Sequence, residues 1–277
     1  MNLPELDSRA KWTVHVVDAA TGEELLSHGA DVVCETASIG KVFLLIEVAR
    51  RLESGELSAD ARVEIPEEHR VADSGLLYLM GSQDLPVRDA ALLVGAVSDN
   101  LATNALISLC GLESVRAVAG ELGYENTELH DYIRDGRGPG LPWTPSFGTA
   151  RELSDFMRRL GDRELVSEAV SDRVLDWLAA GADTSMLADA FSLDPLAHLE
   201  PEYQDILLRH KTGSTSVTRA DIGIVSGPAG SVAYAVAANW KGRTEDLRVP
   251  VIDAMRAIGE QIRARVTGRE RDDWSLS

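Results

Sequence analysis

The sequence predicts a mixed α/β fold of the α+β type, in which both ends of the chain build one antiparallel five-stranded sheet. Residues 11–18, "KWTVHVVD", alternate polar and apolar side chains, and "GEELLSHG" follows across a Thr-Gly turn, as in a β-hairpin. Near the other end, "ADIGIVSGPAGSVAYAVAANW" (220–240) gives two more strand-like runs around a Gly-Pro-Ala-Gly turn. The fifth strand is predicted in "LLRHKTGSTS" (207–216).

Helices are predicted between these end pieces and after them. The stretches with helical spacing in the middle of the chain are "VRDAALLVGAV", "NLATNALISLC", "ESVRAVAGEL", "ARELSDFMRRL" and "SDRVLDWLAAG". A final amphipathic helix, "VPVIDAMRAIGEQIRARV", should cover one face of the sheet, with Pro250 in its first turn. We therefore predict a sheet subdomain from residues 1–57 and 204–277, an all-helical subdomain from 58–203, and a functional site between them.

The composition argues against several classes of partner. The 277 residues include 45 Asp and Glu against 27 Lys and Arg, a formal charge of -18, which would repel nucleic acid and anionic lipid. No apolar stretch reaches the length of a membrane span, and the first residues show no signal core, so a cytoplasmic location is expected. A periplasmic or secreted location is expected instead if a leader has been removed.

Cysteine and histidine usage gives no indication of a metal or a cofactor. Cys34 and Cys110 are too few for a disulfide framework and are predicted to be buried free thiols. The six histidines form no HxH, HxxxH or HExxH pattern. We therefore expect neither a metal site nor a cofactor.

The segment "CETASIGKVFLLIEVARRL" (34–52) places a lysine at the start of a helix that is apolar on nearly every side. Ser38 and Lys41 are three residues apart and should lie within hydrogen-bonding reach. Burial and the positive end of the helix dipole both lower the pKa of an amine in this position. The chain has 23 arginines and four lysines, and only lysine can give up its proton, so Lys41 is a candidate general base for Ser38.

Two further motifs follow in order. "AVSDNLATN" (96–104) sets Ser98, Asp99 and Asn100 at a predicted helix start, and "KTG" begins at Lys211 late in a predicted strand. A given tripeptide is expected only about 0.03 times in a chain of this length. Coincidence is therefore a weak explanation for the ordered set.

The three motifs resemble those of class A β-lactamases and penicillin-binding proteins, and the resemblance runs from about residue 11 to 266. It implies a β-lactamase-like fold in which Ser38 is the nucleophile and Lys41 its base. Ser98 would relay a proton to the leaving nitrogen. Asp99 is expected to anchor its turn.

The same resemblance implies the substrate-binding residues. Asn100 would hold the substrate amide, and Lys211 and Thr212 would bind a substrate carboxylate. Arg219 resembles the arginine that supports the motif lysine in many relatives, although it could instead pair with one of the many carboxylates. The implied partner is a small anionic substrate, and the favoured oligomeric state is a monomer.

Acyl transfer also requires hydrogen-bond donors aimed at the developing oxyanion. The backbone N–H groups of Ser38 and Ser214 are the candidates, and Gly213 would let a substrate approach the strand closely.

The loop "DYIRDGRGPGLPWTPSFG" (131–148) is where the resemblance weakens. Class A β-lactamases carry there a glutamate that activates the deacylating water, and its pattern is absent. Counting forward places Ile133 at that position, whereas counting back places Glu128 there. Asp131 and Asp135 are the other candidate carboxylates.

Asn104 resembles an asparagine that steadies this glutamate, but it could equally serve as a cap or a core residue.

These observations leave three functions open. The first is a serine hydrolase that opens β-lactams through an acyl-Ser38 intermediate. The second keeps the acylation chemistry with an ester, an amide, another acyl group or a D-Ala-D-Ala peptide as substrate. The third is a β-lactam sensor that is acylated and deacylates slowly.

Overall fold

The computed structural model describes residues 1–197, 205–242 and 246–269. In these residues the strands are β1 (Ala10–Asp18), β2 (Glu24–His28), β3 (Cys34–Glu35), β4 (Glu128–Leu129), β5 (Ser146–Gly148), β6 (Leu207–Thr215), β7 (Thr218–Gly227) and β8 (Gly230–Trp240). The α-helices are α1 (Lys41–Ser54), α2 (Val87–Val97), α3 (Asn100–Cys110), α4 (Leu112–Glu121), α5 (Ala150–Gly161), α6 (Glu168–Ala179) and α7 (Arg248–Thr267). Every stretch predicted as helical or extended forms that element.

The main sheet joins the two ends of the chain, as predicted. Its order is β2-β1-β8-β7-β6, and every neighbouring pair is antiparallel. The first strand pairs with the last along its whole length, from Ala10 opposite Trp240 to Asp18 opposite Val232. This order leaves β6, which carries the Lys-Thr-Gly motif, at one edge of the sheet.

Each face of the sheet contributes to a separate hydrophobic core because strand side chains alternate between faces. Along β7, Ile222 and Ile224 pack with helices α1 to α6, whereas Val225 packs with α7. The first of these cores contains the apolar side chains of the N-terminal half of α1, between Val42 and Ala49. Helix α1 is therefore enclosed mainly by other helices, namely α2, α3, α4 and α6.

The helix ends follow local sequence rules. Asp99, Thr149 and Ser167 are the N-caps of α3, α5 and α6, and each side chain accepts a hydrogen bond from a backbone N–H of the first turn. Helix α1 has no such cap at its N-terminus and ends at Gly55, which adopts φ of 75°. The uncapped N-terminus of α1 is where Lys41 lies.

Helices α2 to α6 lie between the two sheet-forming ends, together with the short strands β4 and β5, which pair with β3 in a second sheet of order β3-β5-β4. The division into a sheet subdomain and an all-helical subdomain stays a prediction. Its proposed boundary at 203 and 204 lies outside the described residues. Cys34 and Cys110 are free and buried, as expected. Within the described ranges, no group of three or more His, Cys, Asp and Glu side chains is arranged to hold a metal ion.

No single helix in the described part of the chain is long and apolar enough to cross a membrane. Helices α3 and α4 meet the length and composition test only as a pair, which is bent by 88°.

Candidate active site

A cavity of about 1020 Å³ lies between the edge strand β6, the start of α1 and the helical part of the chain. Six of the predicted site residues line it: Ser38, Ser98, Asn100, Lys211, Thr212 and Ser214. Lys41 is fully buried and contacts two of them, Ser98 and Asn100, through hydrogen bonds. The three sequence motifs therefore meet at one cavity, although they are separated by up to 173 residues in the chain.

Ser38 lies in a 3-10 turn, Ala37–Gly40, directly before α1. Ala37 has a φ of 50°, a left-handed conformation that costs roughly 1–3 kcal/mol for a residue with a side chain. The turn is held by Ser146, whose hydroxyl donates to the carbonyl of Ala37 and lies 2.9 Å from the hydroxyl of Thr36. This anchoring keeps Ser38 at the wall of the cavity.

Lys41 connects the first motif to the second. Its ammonium Nζ donates to the carbonyl of Ser98 at 2.6 Å, to Ser98 Oγ at 3.2 Å and to Asn100 Oδ1 at 2.8 Å. The pKa of Lys41 is well below its usual value because the amine is buried and because the charge of Lys211 repels it, while Asp99 acts in the opposite direction. A buried amine of this kind can lose its proton near neutral pH.

The relation of Lys41 to Ser38 differs in one respect from the sequence prediction. The two residues share a face, since positions three apart eclipse in a 3-10 turn. The three hydrogen bonds of Nζ, however, all go to the Ser98–Asn100 segment. A neutral amine has only two N–H groups, so deprotonation frees a lone pair on Nζ that can accept from a neighbouring serine hydroxyl.

The second motif is shaped by Asp99. Ser98 adopts φ of 54° at the end of α2, and α3 begins two residues later. The carboxylate of Asp99, fully buried, accepts hydrogen bonds from the backbone of Ala102, Leu76 and Leu77 at 2.7 to 2.9 Å. Asp99 therefore anchors its turn, as predicted, and directs its two neighbours toward Lys41.

The third motif supplies the positive charge of the cavity wall. Lys211 is buried on β6, where its Nζ donates to the carbonyl of Thr212 at 2.8 Å. Burial lowers the pKa of Lys211 to about 8, although Asp183 and Asp221 oppose the shift. The amine is mostly charged at neutral pH and can bind an anion.

Asp183 completes this wall and was missed by the sequence analysis. Its carboxylate accepts from the hydroxyl of Thr212 at 2.7 Å and from Ser185. Burial raises the pKa of Asp183, but the hydrogen bonds from Ser185 and Thr212 outweigh that effect and hold the pKa below its usual value. A single aspartate outside any motif carries no signal that sequence reasoning could use.

Strand β6 passes very close to Ser38. A Cβ on Gly213 would lie 2.3 Å from the carbonyl of Thr36 and 3.1 Å from the amide nitrogen of Ser38. Only glycine fits here, because any side chain on Gly213 would clash with the backbone before Ser38. Ser214, the next residue of β6, lines the cavity together with Ser38.

Arg219 does not line the cavity with the other predicted residues. Its guanidinium donates to the backbone carbonyls of Thr215 and Thr218, both at 2.7 Å, at the end of the β6–β7 hairpin. Burial and the neighbouring charge of Arg248 lower its pKa, while Asp183 and Asp246 act in the opposite direction. In this structure Arg219 therefore supports the hairpin from behind the cavity wall.

The loop side of the cavity includes an apolar residue, Ile133. Ile133 lines the cavity, and the side chain of Asn104 makes two hydrogen bonds to its backbone. Asn104 Oδ1 accepts from the N–H of Ile133 at 2.9 Å, and Asn104 Nδ2 donates to its carbonyl at 2.8 Å. Asn104 thus steadies the loop, which decides between the alternatives that the sequence left open.

The loop carboxylates have separate positions. Glu128 does not line the cavity and instead pairs with Arg116 at 2.9 Å and His130 at 2.7 Å. Asp131 is buried in ion pairs with Arg134 and Arg137. Glu128, the residue that counting back along the sequence suggested, therefore does not face the cavity.

Asp135 lines the cavity, but it is exposed at its mouth.

The chain is similar to known proteins both in sequence and in fold. A family model described as the beta-lactamase enzyme family matches residues 4–266. A β-lactamase from Sphaerobacter thermophilus DSM 20745 is 26% identical, with a TM-score of 0.78, covering 94% of this chain and 92% of that chain. Among proteins of curated function, none matches the chain by sequence.

Two more distant structures share the fold. PBP-A is 21% identical, with a TM-score of 0.77, over 91% of this chain and 88% of that chain. A β-lactamase from Xanthomonas campestris pv. campestris is 21% identical, with a TM-score of 0.76, over 93% of this chain and 92% of that chain.

Proposed function

Since the chain belongs to the beta-lactamase enzyme family, we propose that it opens β-lactams by acyl transfer to Ser38. The observation that carries this proposal is the buried Lys41, whose pKa is well below its usual value and whose Nζ bonds to Ser98 and Asn100 beside Ser38. An amine in that state can take the proton of a serine hydroxyl, which is the step that acylation requires.

The first step forms the bond between Ser38 Oγ and the carbonyl carbon of the lactam. Neutral Lys41 accepts the hydroxyl proton, and the electron pair of the carbonyl moves onto its oxygen. The backbone N–H groups of Ser38 and Ser214 stabilise the resulting oxyanion. The substrate carboxylate binds Lys211 and replaces Asp183 as the acceptor of the Thr212 hydroxyl proton, which orients the lactam against β6.

The second step breaks the carbon–nitrogen bond of the lactam. The oxyanion collapses to the ester carbonyl, the electron pair leaves with nitrogen, and Ser98 Oγ gives its proton to that nitrogen. Lys41 then returns the proton to Ser98, since their side chains already lie 3.2 Å apart. The product is an ester between Ser38 and the opened β-lactam.

Loss of the nucleophile tests this proposal. Ser38→Ala should lower the hydrolysis of a chromogenic cephalosporin and the formation of a covalent adduct by more than about 10³-fold. Ser216→Ala is the matched control, because Ser216 lines the same cavity but lies exposed in the β6–β7 turn. Equal turnover in wild type and Ser38→Ala would disprove the acyl-serine route.

A second candidate is favoured by Ile133, namely a penicillin-binding enzyme that is acylated readily and releases the acyl group slowly. An isoleucine cannot activate water, so release would depend on water and the remaining polar groups of the cavity. Intact-mass measurement over time with benzylpenicillin separates the two candidates. A long-lived one-to-one adduct supports the second, and rapid return to the free mass supports a β-lactamase.

A further inference from the structure

Glu35 is a carboxylate of the cavity wall that the acylation chemistry does not use. It lies three residues before Ser38 and is half-buried. The hydroxyl of Thr218 donates to one of its oxygens at 2.8 Å. The hydroxyl of Thr144 lies 3.3 Å from the other oxygen and shares its proton with the carbonyl of Ser146, which is nearer at 2.9 Å. Neither partner carries a charge, and within the described ranges no cation forms an ion pair with Glu35.

The backbone around Glu35 is held firmly. Asn239 on β8 accepts from the N–H of Glu35 at 2.7 Å and donates to its carbonyl at 2.9 Å. Asn239 also donates to the hydroxyl of Thr218 at 3.2 Å. Glu35 is therefore a fixed part of the wall, since both its backbone and its carboxylate are held in place.

The register of the sheet places Glu35 relative to a bound substrate. Thr218, its closer partner, pairs with Thr215 at the end of β6. Lys211, which would bind the substrate carboxylate, lies four residues earlier on the same strand, about 13 Å away at the usual rise of a strand. In the proposed acyl transfer the reacting carbonyl would lie between them, beside Gly213 and Ser214, which would put Glu35 on the acyl side of the bond that breaks.

The Glu35 carboxylate can accept more hydrogen bonds than it receives from the protein, so it can bind a ligand. Each oxygen of a carboxylate can accept about two hydrogen bonds. One oxygen of Glu35 accepts from the buried Thr218, and the other has only a share of the Thr144 proton. The free positions belong to a group that lines the cavity. Two arginines that line the same cavity, Arg134 and Arg137, are paired with Asp131.

We propose that Glu35 selects substrates whose acyl group carries an ammonium. The substrate class is a zwitterion, with a carboxylate bound at Lys211 and an ammonium bound at Glu35 on the other side of the reacting carbonyl. This inference rests on the proposed acyl transfer to Ser38 and adds the chemistry of the acyl group to it. The negative charge of the chain, -18, also favours the approach of a cation.

Paired penicillins test the proposal. Second-order acylation rates are measured by intact mass for ampicillin, whose side chain carries an ammonium, for neutral benzylpenicillin and for carbenicillin, whose side chain carries a carboxylate. The measurement is made at about pH 6, below the usual pKa of an α-amino group. A charge-assisted hydrogen bond predicts that ampicillin reacts about tenfold faster than benzylpenicillin, and that carbenicillin reacts slowest.

Glu35→Gln keeps the size and the carbonyl oxygen of the side chain and removes its charge, so the ampicillin preference should fall to about one. Asp73→Asn is the matched control, because it removes one negative charge from an exposed residue that lines the same cavity, and it should keep the preference. A set of penicillins with the ammonium on chains of increasing length locates the best distance.

The wild-type ratios test the inference even if Glu35→Gln does not fold. Equal rates for all three penicillins in wild type, or a preference that survives in folded Glu35→Gln, would overturn the role of Glu35 while acyl transfer to Ser38 stands. Absence of any Ser38 adduct with all three would overturn the proposed function together with this inference.

Discussion

The two walls of the cavity that face Ser38 differ in how completely they are equipped for acid–base chemistry. On the helical side, Lys41 is fully buried and all three of its ammonium N–H groups find acceptors on Ser98 and Asn100. On the loop side, Asn104 holds the backbone of Ile133 through two hydrogen bonds, but the Ile133 side chain that lines the cavity is apolar. One wall can move a proton, and the other cannot at that position.

This difference teaches that forming and releasing an acyl-serine are separate structural demands. Formation needs a base, a proton relay and an anion-binding group, and these converge from three distant segments. Release needs a water activated on the loop side. Of the candidate carboxylates, Glu128 and Asp131 are engaged in ion pairs, and Asp135 lines the cavity but is exposed at its mouth.

The largest effect on the acylation rate should come from removing the base on the helical side of the cavity, Lys41. Lys41→Met should lower the acylation rate by about 10³-fold or more, since general base catalysis contributes about 10²–10⁴-fold. Lys41→Arg should be equally slow, because arginine keeps the charge but cannot give up its proton. The measurement is adduct formation by intact mass.

Lys241→Met is the control, since Lys241 lies exposed beyond β8. A Lys41→Arg variant that acylates at the wild-type rate would contradict the role of Lys41 as a base and leave it as a fixed cation.

The second effect should come from placing a carboxylate on the loop side of the cavity. Ile133→Glu should speed the decay of the acyl-enzyme by about 10²-fold, because Asn104 holds the backbone of this position and the new carboxylate can activate water. Ile133→Gln, of the same size and without a base, is the matched control. Equal decay rates in the two variants would show that the loop position is not directed at the acyl carbonyl.

The third effect concerns pH. Below about 8, the pKa of Lys211, the amine is charged and binds the substrate carboxylate; above it the charge is lost. The second-order acylation rate should therefore fall by about tenfold per pH unit on the alkaline side. In Lys211→Arg this alkaline limb should disappear within the range measured, because arginine stays charged.

The pH profile of benzylpenicillin acylation in both proteins is the measurement. An alkaline limb that is unchanged in Lys211→Arg would assign it to another group.

Much of this site could be predicted because its chemistry is concentrated in short motifs. Ser38 and Lys41 are three residues apart, Ser98 and Asn100 share one turn, and Lys211 to Ser214 are consecutive. The Lys41 prediction also rested on a local cause, the apolar run from Phe43 to Ile46, which the structure shows as fully buried. Where the chemistry depends on neighbours in the chain, the sequence is enough.

Other parts of the site depend on contacts between distant segments. Asp183 reaches Thr212 from a loop after α6, and Glu35 reaches Thr144 and Thr218 from two other segments. Arg219 was expected to support the motif lysine, yet its guanidinium bonds to hairpin carbonyls. The direction of a long side chain is set by packing, which a sequence motif does not describe.

The amino-acid sequence by itself therefore determined the α+β fold, the sheet built from both chain ends and the three groups of residues around Ser38. These follow from side-chain periodicity and from motifs of nearest neighbours. The folded chain was needed to show that Ile133 faces the cavity, that Glu128 turns away from it and that Glu35 has no cationic partner in the described part of the chain. The physical reason is that loop direction depends on anchors far along the chain, here Asn104, Ser146 and Asn239.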